Sequence, residues 1–207
     1  MKWIFLLLLT PLLLQAADEQ VNWSKPVKGL RARLFISPNR DPDSDHTYQI
    51  YLQFENVGVL GSDGTISREE TFQFDQGELA LDVANVSGQG LPPHPGWTIH
   101  MSPKPPGAVD EPFAGYNLSV PPGGNLAFPI GYISGTGTEH IYCSPLFTWD
   151  LPATGTGTYY LSGTFSFSLK NAWPNVPAGT HPTGRDWGIR LNWEGTLVLP
   201  PVQVPAH

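Results

Sequence analysis

The sequence predicts an all-β chain folded as an antiparallel sandwich. Three observations carry the prediction. Apolar residues recur at every second position in window after window, the period of a half-buried strand. Glycine and proline, 22 of each in 207 residues, break the chain into short pieces. No window carries a long apolar stripe at helical spacing. The 24 aromatic residues are enough to build a core, so a wholly disordered chain is excluded.

Met1-Lys2 opens the chain with a positive charge, and an apolar run follows from Trp3 to Leu14. Small residues stand at Ala16 and Ala17, then Asp18-Glu19. This is the layout of a secretory signal peptide over residues 1–17, and the run is short for a membrane span. A single sandwich domain is expected over 18–207. Without the signal, ten basic residues face 18 acidic ones, a net charge of −8. That balance repels a phosphate backbone, so nucleic acid is excluded as a partner. The mature chain is expected to be secreted or periplasmic and not membrane-embedded. One cysteine allows no internal disulfide. Cys143 lies between Tyr142 and Leu146 in an apolar stretch and reads as a small buried hydrophobe.

The strands follow in order. Leu30, Ala32, Leu34 and Ile36 alternate with Arg31, Arg33 and Phe35. Ile50, Leu52 and Phe54 alternate with Gln49, Tyr51, Gln53 and Glu55. Leu79, Leu81 and Val83 make a third strand. Tyr116–Val120 and Asn125–Ile130 flank Pro121-Pro122-Gly123-Gly124, which predicts a hairpin. The strongest strand runs from Thr158 to Leu169, with Tyr159, Leu161, Gly163, Phe165 and Phe167 on one face. A last strand covers Asn192–Leu199 and is interrupted by Pro200-Pro201, leaving Val202-Gln203-Val204 as an edge extension. Trp149 and Trp193 are expected in the core. Two segments lack strand patterning, Ala84–Gly115 and Asn171–Gly188, and loops of that length are often functional.

Two stretches resemble known sandwich modules. Leu151-Pro152 through Gly157-Thr158-Tyr159-Tyr160-Leu161 resembles the entry to the penultimate strand of immunoglobulin-like domains. There the tyrosine closes a corner through its hydroxyl, the role implied for Tyr159. Tyr48 to Asn56-Val57-Gly58, then Phe72–Gly77 and Leu79–Val83, are similar to the BsuPI-type proteinase-inhibitor fold. The opening Trp23-Ser24-Lys25-Pro26-Val27-Lys28-Gly29-Leu30 and the ending Trp193-Glu194-Gly195-Thr196-Leu197-Val198-Leu199-Pro200-Pro201-Val202 resemble the uncharacterised exported sandwich domains of planctomycete-type bacteria. Ser24 departs from the usual glycine. This resemblance implies an immunoglobulin-like β-sandwich with long Pro/Gly-rich loops and an exported location, and it implies no activity.

Motif chemistry is sparse. There is no Gly-x-Ser-x-Gly elbow, no phosphate-cradling loop and no His-Glu-x-x-His pair. Asp41, Asp43 and Asp45 alternate but lack the glycine and glutamate of a calcium loop, so no metal and no cofactor is expected. Glu139, Asp150, Asp186 and Glu194 are the carboxylates a glycoside hydrolase would need in one cleft. The aromatic loops say more. Trp97, with His94 and His100, lies in the first long loop, and Trp173 and Trp187, with His181, in the second. Tryptophan on a loop can stack on a sugar or anchor a protein. These six residues are the predicted ligand-binding set of a non-enzymatic binding module for an envelope protein or a glycan. The alternatives are a polysaccharide-acting hydrolase and a proteinase inhibitor.

Overall fold

The computed structural model describes residues 22–41, 44–58, 68–74, 79–95, 109–111, 115–135, 139–143, 147–152, 157–168 and 191–205. They hold twelve strands and no helix. In chain order these are β1 (Leu30–Pro38), β2 (His46–Asn56), β3 (Glu70–Phe74), β4 (Leu79–Asn85), β5 (His94–Pro95) and β6 (Val109–Glu111). β7 (Gly115–Val120), β8 (Asn125–Gly135), β9 (Glu139–Cys143), β10 (Phe147–Leu151), β11 (Tyr159–Phe167) and β12 (Gly195–Gln203) follow. One six-stranded sheet has the order β1-β2-β8-β9-β10-β5, and two three-stranded sheets run β12-β11-β4 and β3-β7-β6. Every pairing is antiparallel.

The period-two pattern decides which side chains meet. Phe54 on β2 and Phe128 on β8 leave the inner face of the large sheet and are fully buried. Phe72 and Phe74 on β3, and Phe165 on β11, reach them from the two small sheets. Centroid separations are 4.9 Å for Phe54–Phe72, 5.1 Å for Phe54–Phe165 and 4.9 Å for Phe74–Phe128. One sheet therefore faces two others across a shared aromatic core, a sandwich-like layering. Tilted and edge-on rings suit the quadrupoles of close-packed phenyl groups. Trp149 and Trp193 are buried as expected, and the Trp193 Nε1–H donates to the Val27 carbonyl at 2.9 Å.

Edges are closed locally. Lys28 and Gly29 both have positive φ, 47° and 87°, and Val27 and Leu30 exchange both backbone bonds. That tight turn folds the entering chain back along β1. The Ser24 N–H then donates to the Ala32 carbonyl, and its hydroxyl accepts from the Ala32 N–H. Asn192 and Trp193 donate their backbone N–H groups to the Thr71 carbonyl on β3. β12 pairs with β11 alone, so Pro200 and Pro201 are tolerated inside it. They sit at the register shift where Leu161 faces Val202 and Gly163 faces Leu199. The strand thus starts later than the alternation predicts and continues through the proline pair.

Two expectations need correction. The hairpin predicted at Pro121–Gly124 is a crossing between sheets: β7 pairs with β3 and β6, and β8 pairs with β2 and β9. The turn chemistry is as expected, with Gly123 at φ 69° and the Gly124 N–H donating to the Pro121 carbonyl at 2.8 Å. Leu118 and Val120 enter the core from one layer, Phe128 and Ile130 from the other, so the strands bury facing surfaces rather than one shared surface. Second, the stretch 84–115 is not strandless. It holds the last residues of β4, then β5 and β6, which are too short to show a period. The corner implied for Tyr159 draws on the backbone upstream of it, of which residues 153–156 lie outside the described residues.

Asn56 fixes the crossing. It is fully buried at the end of β2. Its Nδ2 donates to the carbonyls of Val120 at 2.8 Å and Arg68 at 2.9 Å, and its Oδ1 accepts from the Gly58 N–H at 2.9 Å. The Asn56 backbone adds a reciprocal pair with Gly123 and Gly124. Glu70 is also buried, and Arg68 donates to its Oε1 at 3.1 Å. Burial outweighs that partner and raises the Glu70 carboxyl above the ordinary range.

Cys143 is a core residue, and burial pushes its thiol up to about 12. A disulfide reagent at pH 8 is expected to react with Cys143 only after denaturant is added. Because the native state holds the proton longer than the unfolded chain, this group's contribution to stability is complete below about pH 9. It falls as pH rises towards 12. Reaction of the native protein at the rate of the unfolded one would contradict this burial.

Candidate functional site

The outward side chains of the six-stranded sheet fall into rows set by register. Gln49 faces Tyr132, which faces Tyr142, which faces Thr148, which faces His94. The next row is His46, Ser134, His140 and Asp150. Ile133, Ile141, Trp149 and Leu151 point inward and are buried, so the alternation sends these polar and aromatic groups to the outer face.

The two rows are joined side chain to side chain. The His46 and Tyr132 rings stack with centroids 3.5 Å apart, and Tyr132 stacks on Tyr142 at 4.7 Å. His140 meets Tyr142 at 5.8 Å in a tilted pair. The His140 Nδ1–H donates to Asp150 Oδ1 at 2.6 Å. A carboxylate only accepts, so Nδ1 carries the proton and the other nitrogen faces away from Asp150. The second oxygen, Asp150 Oδ2, lies 3.5 Å from His94 Nε2. His94 and Asp150 are about half exposed, at 58% and 48%. The Tyr132 hydroxyl is held above its ordinary range by burial first, then by Tyr142 and Asp45. Among the described residues no group of three or more His, Cys, Asp or Glu side chains is arranged to hold a metal.

Of the six predicted ligand-binding residues, the structure describes His94 alone. It lies on β5 at the edge of this face. Trp97, His100, Trp173, His181 and Trp187 lie outside the described residues. His94 joins Asp150, which the sequence offered separately as a hydrolase carboxylate, and His140, which sequence reading did not single out. Two of the four hydrolase carboxylates stand apart: Asp150 is on the outer face of the large sheet. Glu194 lines an open groove of about 840 Å³ against β11 and β12, with Lys28, Thr164, Ser166 and Thr196. The side chains of Glu139 and Asp186 lie outside the described residues.

The same outer face has a second cluster over β1 and β2, which sequence reading missed. The guanidinium carbons of Arg31 and Arg33 sit 4.7 and 4.9 Å from the Trp23 ring centroid. Arg33 also lies 5.2 Å from the Phe35 ring, and Phe35 stacks on Tyr51 at 4.8 Å. The signal for it was the alternation itself, Arg31-x-Arg33-x-Phe35 on one face of a strand. No family model, curated protein or solved structure matches the chain.

Proposed function

We propose that the chain is a non-enzymatic binding module with an immunoglobulin-like sandwich, exported by residues 1–17, that takes a protein partner on the outer face of its six-stranded sheet. The observation that supports this most is the unbroken contact path His46–Tyr132–Tyr142–His140–Asp150–His94 across five strands. Protein interfaces concentrate their energy in tyrosine, tryptophan and arginine ringed by polar groups. The path supplies two such tyrosines, Tyr132 and Tyr142, ringed by three histidines and an aspartate. The partner is a protein of the envelope or of the cell's surroundings.

A glycan is the second reading, and the ring geometry favours it less. A sugar stacks on a free aromatic face. The His46, Tyr132 and Tyr142 rings lie within 28° of parallel to their neighbours and cover one another's faces. They offer edges and a hydroxyl rim instead. A hydrolase is favoured still less, because Asp150 stands on the outer face of the six-stranded sheet whereas Glu194 precedes β12 and lines a groove against β11 and β12.

The test is a pull-down from the native envelope with glycan arrays as a second arm. Tyr142→Ala is expected to weaken capture of the partner at least about tenfold, as a central tyrosine anchor does, with an unchanged melting temperature. Trp97→Ala is expected to act in the same direction. Equal capture by wild type, Tyr142→Ala and Trp97→Ala would exclude this face, and ligand recovery on the glycan arm alone would exclude a protein partner.

A further inference from the structure

We infer that Arg33 is a preorganised receptor for a carboxylate. The two outward arginines of β1 differ in their pairing. Arg31 is spent: its Nε donates to Glu55 Oε2 at 2.9 Å and its Nη2 approaches the same oxygen at 2.7 Å. Arg33 uses only Nε, which donates to Gln53 Oε1 at 2.7 Å. Among the described residues no carboxylate reaches it and no group accepts from its two terminal nitrogens. The guanidinium is nonetheless held. Trp23 and Phe35 flank it at 4.9 and 5.2 Å, and these rings supply cation–π attraction without accepting a hydrogen bond. Gln53 is oriented in turn, its Nε2 donating to Asn125 Oδ1 at 3.3 Å. Asn125, Gln53 and Arg33 therefore form a supporting line across β8, β2 and β1.

A part-buried cation loses hydration and is ordinarily paired, as Arg31 is. An unspent planar fork, fixed at Nε and between two rings, matches the two oxygens of a carboxylate and has little side-chain freedom left to lose on binding it. Glu55 is committed to Arg31 and does not compete. The chemistry is shared by an acidic peptide side chain and a uronate sugar. The inference stands on the Arg33 geometry and not on the protein-partner reading, and its test needs no partner.

The experiment is a titration of the ¹⁵N-labelled whole chain at constant ionic strength, with N-acetylglutamate amide in one arm and glucuronate in the other. The Arg33 Nε–H resonance and the Trp23 indole are expected to shift saturably while Arg31 Nε–H stays put. Arg33→Lys keeps the charge and loses the fork, and should weaken binding at least about tenfold. Gln53→Met, which leaves Arg33 in place but unoriented, should weaken it by a smaller factor. The arm with the tighter affinity identifies the source of the carboxylate. Non-saturating shifts in both arms, equal movement of Arg31, or undiminished binding by Arg33→Lys would each overturn the assignment.

Discussion

Trp193→Ala is expected to cost about 4 kcal/mol of folding stability, the cost of deleting a fully buried indole. The side chain is wholly buried and lies 5.5 Å from Phe72 and 6.1 Å from Phe165, centroid to centroid. Truncation opens a cavity between β3, β11 and β12 and leaves the Val27 carbonyl without the indole donor. It also loosens the edge of β3, because the Trp193 backbone bonds to Thr71. Trp193→Phe keeps most of the volume but loses the N–H, and is expected to cost roughly half as much. Urea denaturation checks both: the midpoint should fall with the slope unchanged. A loss below about 1 kcal/mol for the alanine variant would mean that the aromatic core is organised otherwise.

The second large effect is at Asn56, where a substitution acts on polar rather than apolar burial. Asn56→Ala removes donors to Val120 and Arg68 and the acceptor for Gly58, leaving buried backbone groups unpaired. Each such group costs about 1–3 kcal/mol, so a loss of about 3 kcal/mol is expected overall after water enters part of the site. Asn56→Asp is isosteric but replaces the Nδ2 donor by an acceptor facing two carbonyls, and should be at least as harmful above its carboxyl range. Hydrogen exchange locates the damage. Amides at Gly58, Gly123 and Gly124 should lose protection before those of β11. Protection lost evenly over the whole chain at small cost would show that the crossing does not depend on this side chain.

Alternation made the strands legible. Leu30-Ala32-Leu34, Ile50-Leu52-Phe54 and Leu79-Leu81-Val83 are buried along their strands as their period requires. The crossing at Pro121–Gly124 was not legible, because a hairpin and a passage between sheets use the same turn residues. What separates them is whether the flanking apolar faces lie side by side or opposed, and that depends on partners distant in sequence. The candidate site was illegible for a related reason. His140 and Asp150 are ten residues apart, and only the register of β9 with β10 makes them a 2.6 Å pair. His94 joins them through a two-residue strand that no periodicity can reveal. The difference between Arg31 and Arg33 is likewise one of register: Glu55 faces Arg31, whereas Gln53 faces Arg33. Two consecutive outward positions on β2 thus neutralise one cation and leave the other available.

The central claim is that recognition belongs to the outer face of the six-stranded sheet. A photo-crosslinking amino acid placed at position 142 samples that face. One placed at position 198, where Val198 is 66% exposed on the sheet that faces it across the core, samples the opposite side. In the native envelope a discrete protein adduct is expected from position 142 and none from position 198. An adduct from position 198 alone would contradict it.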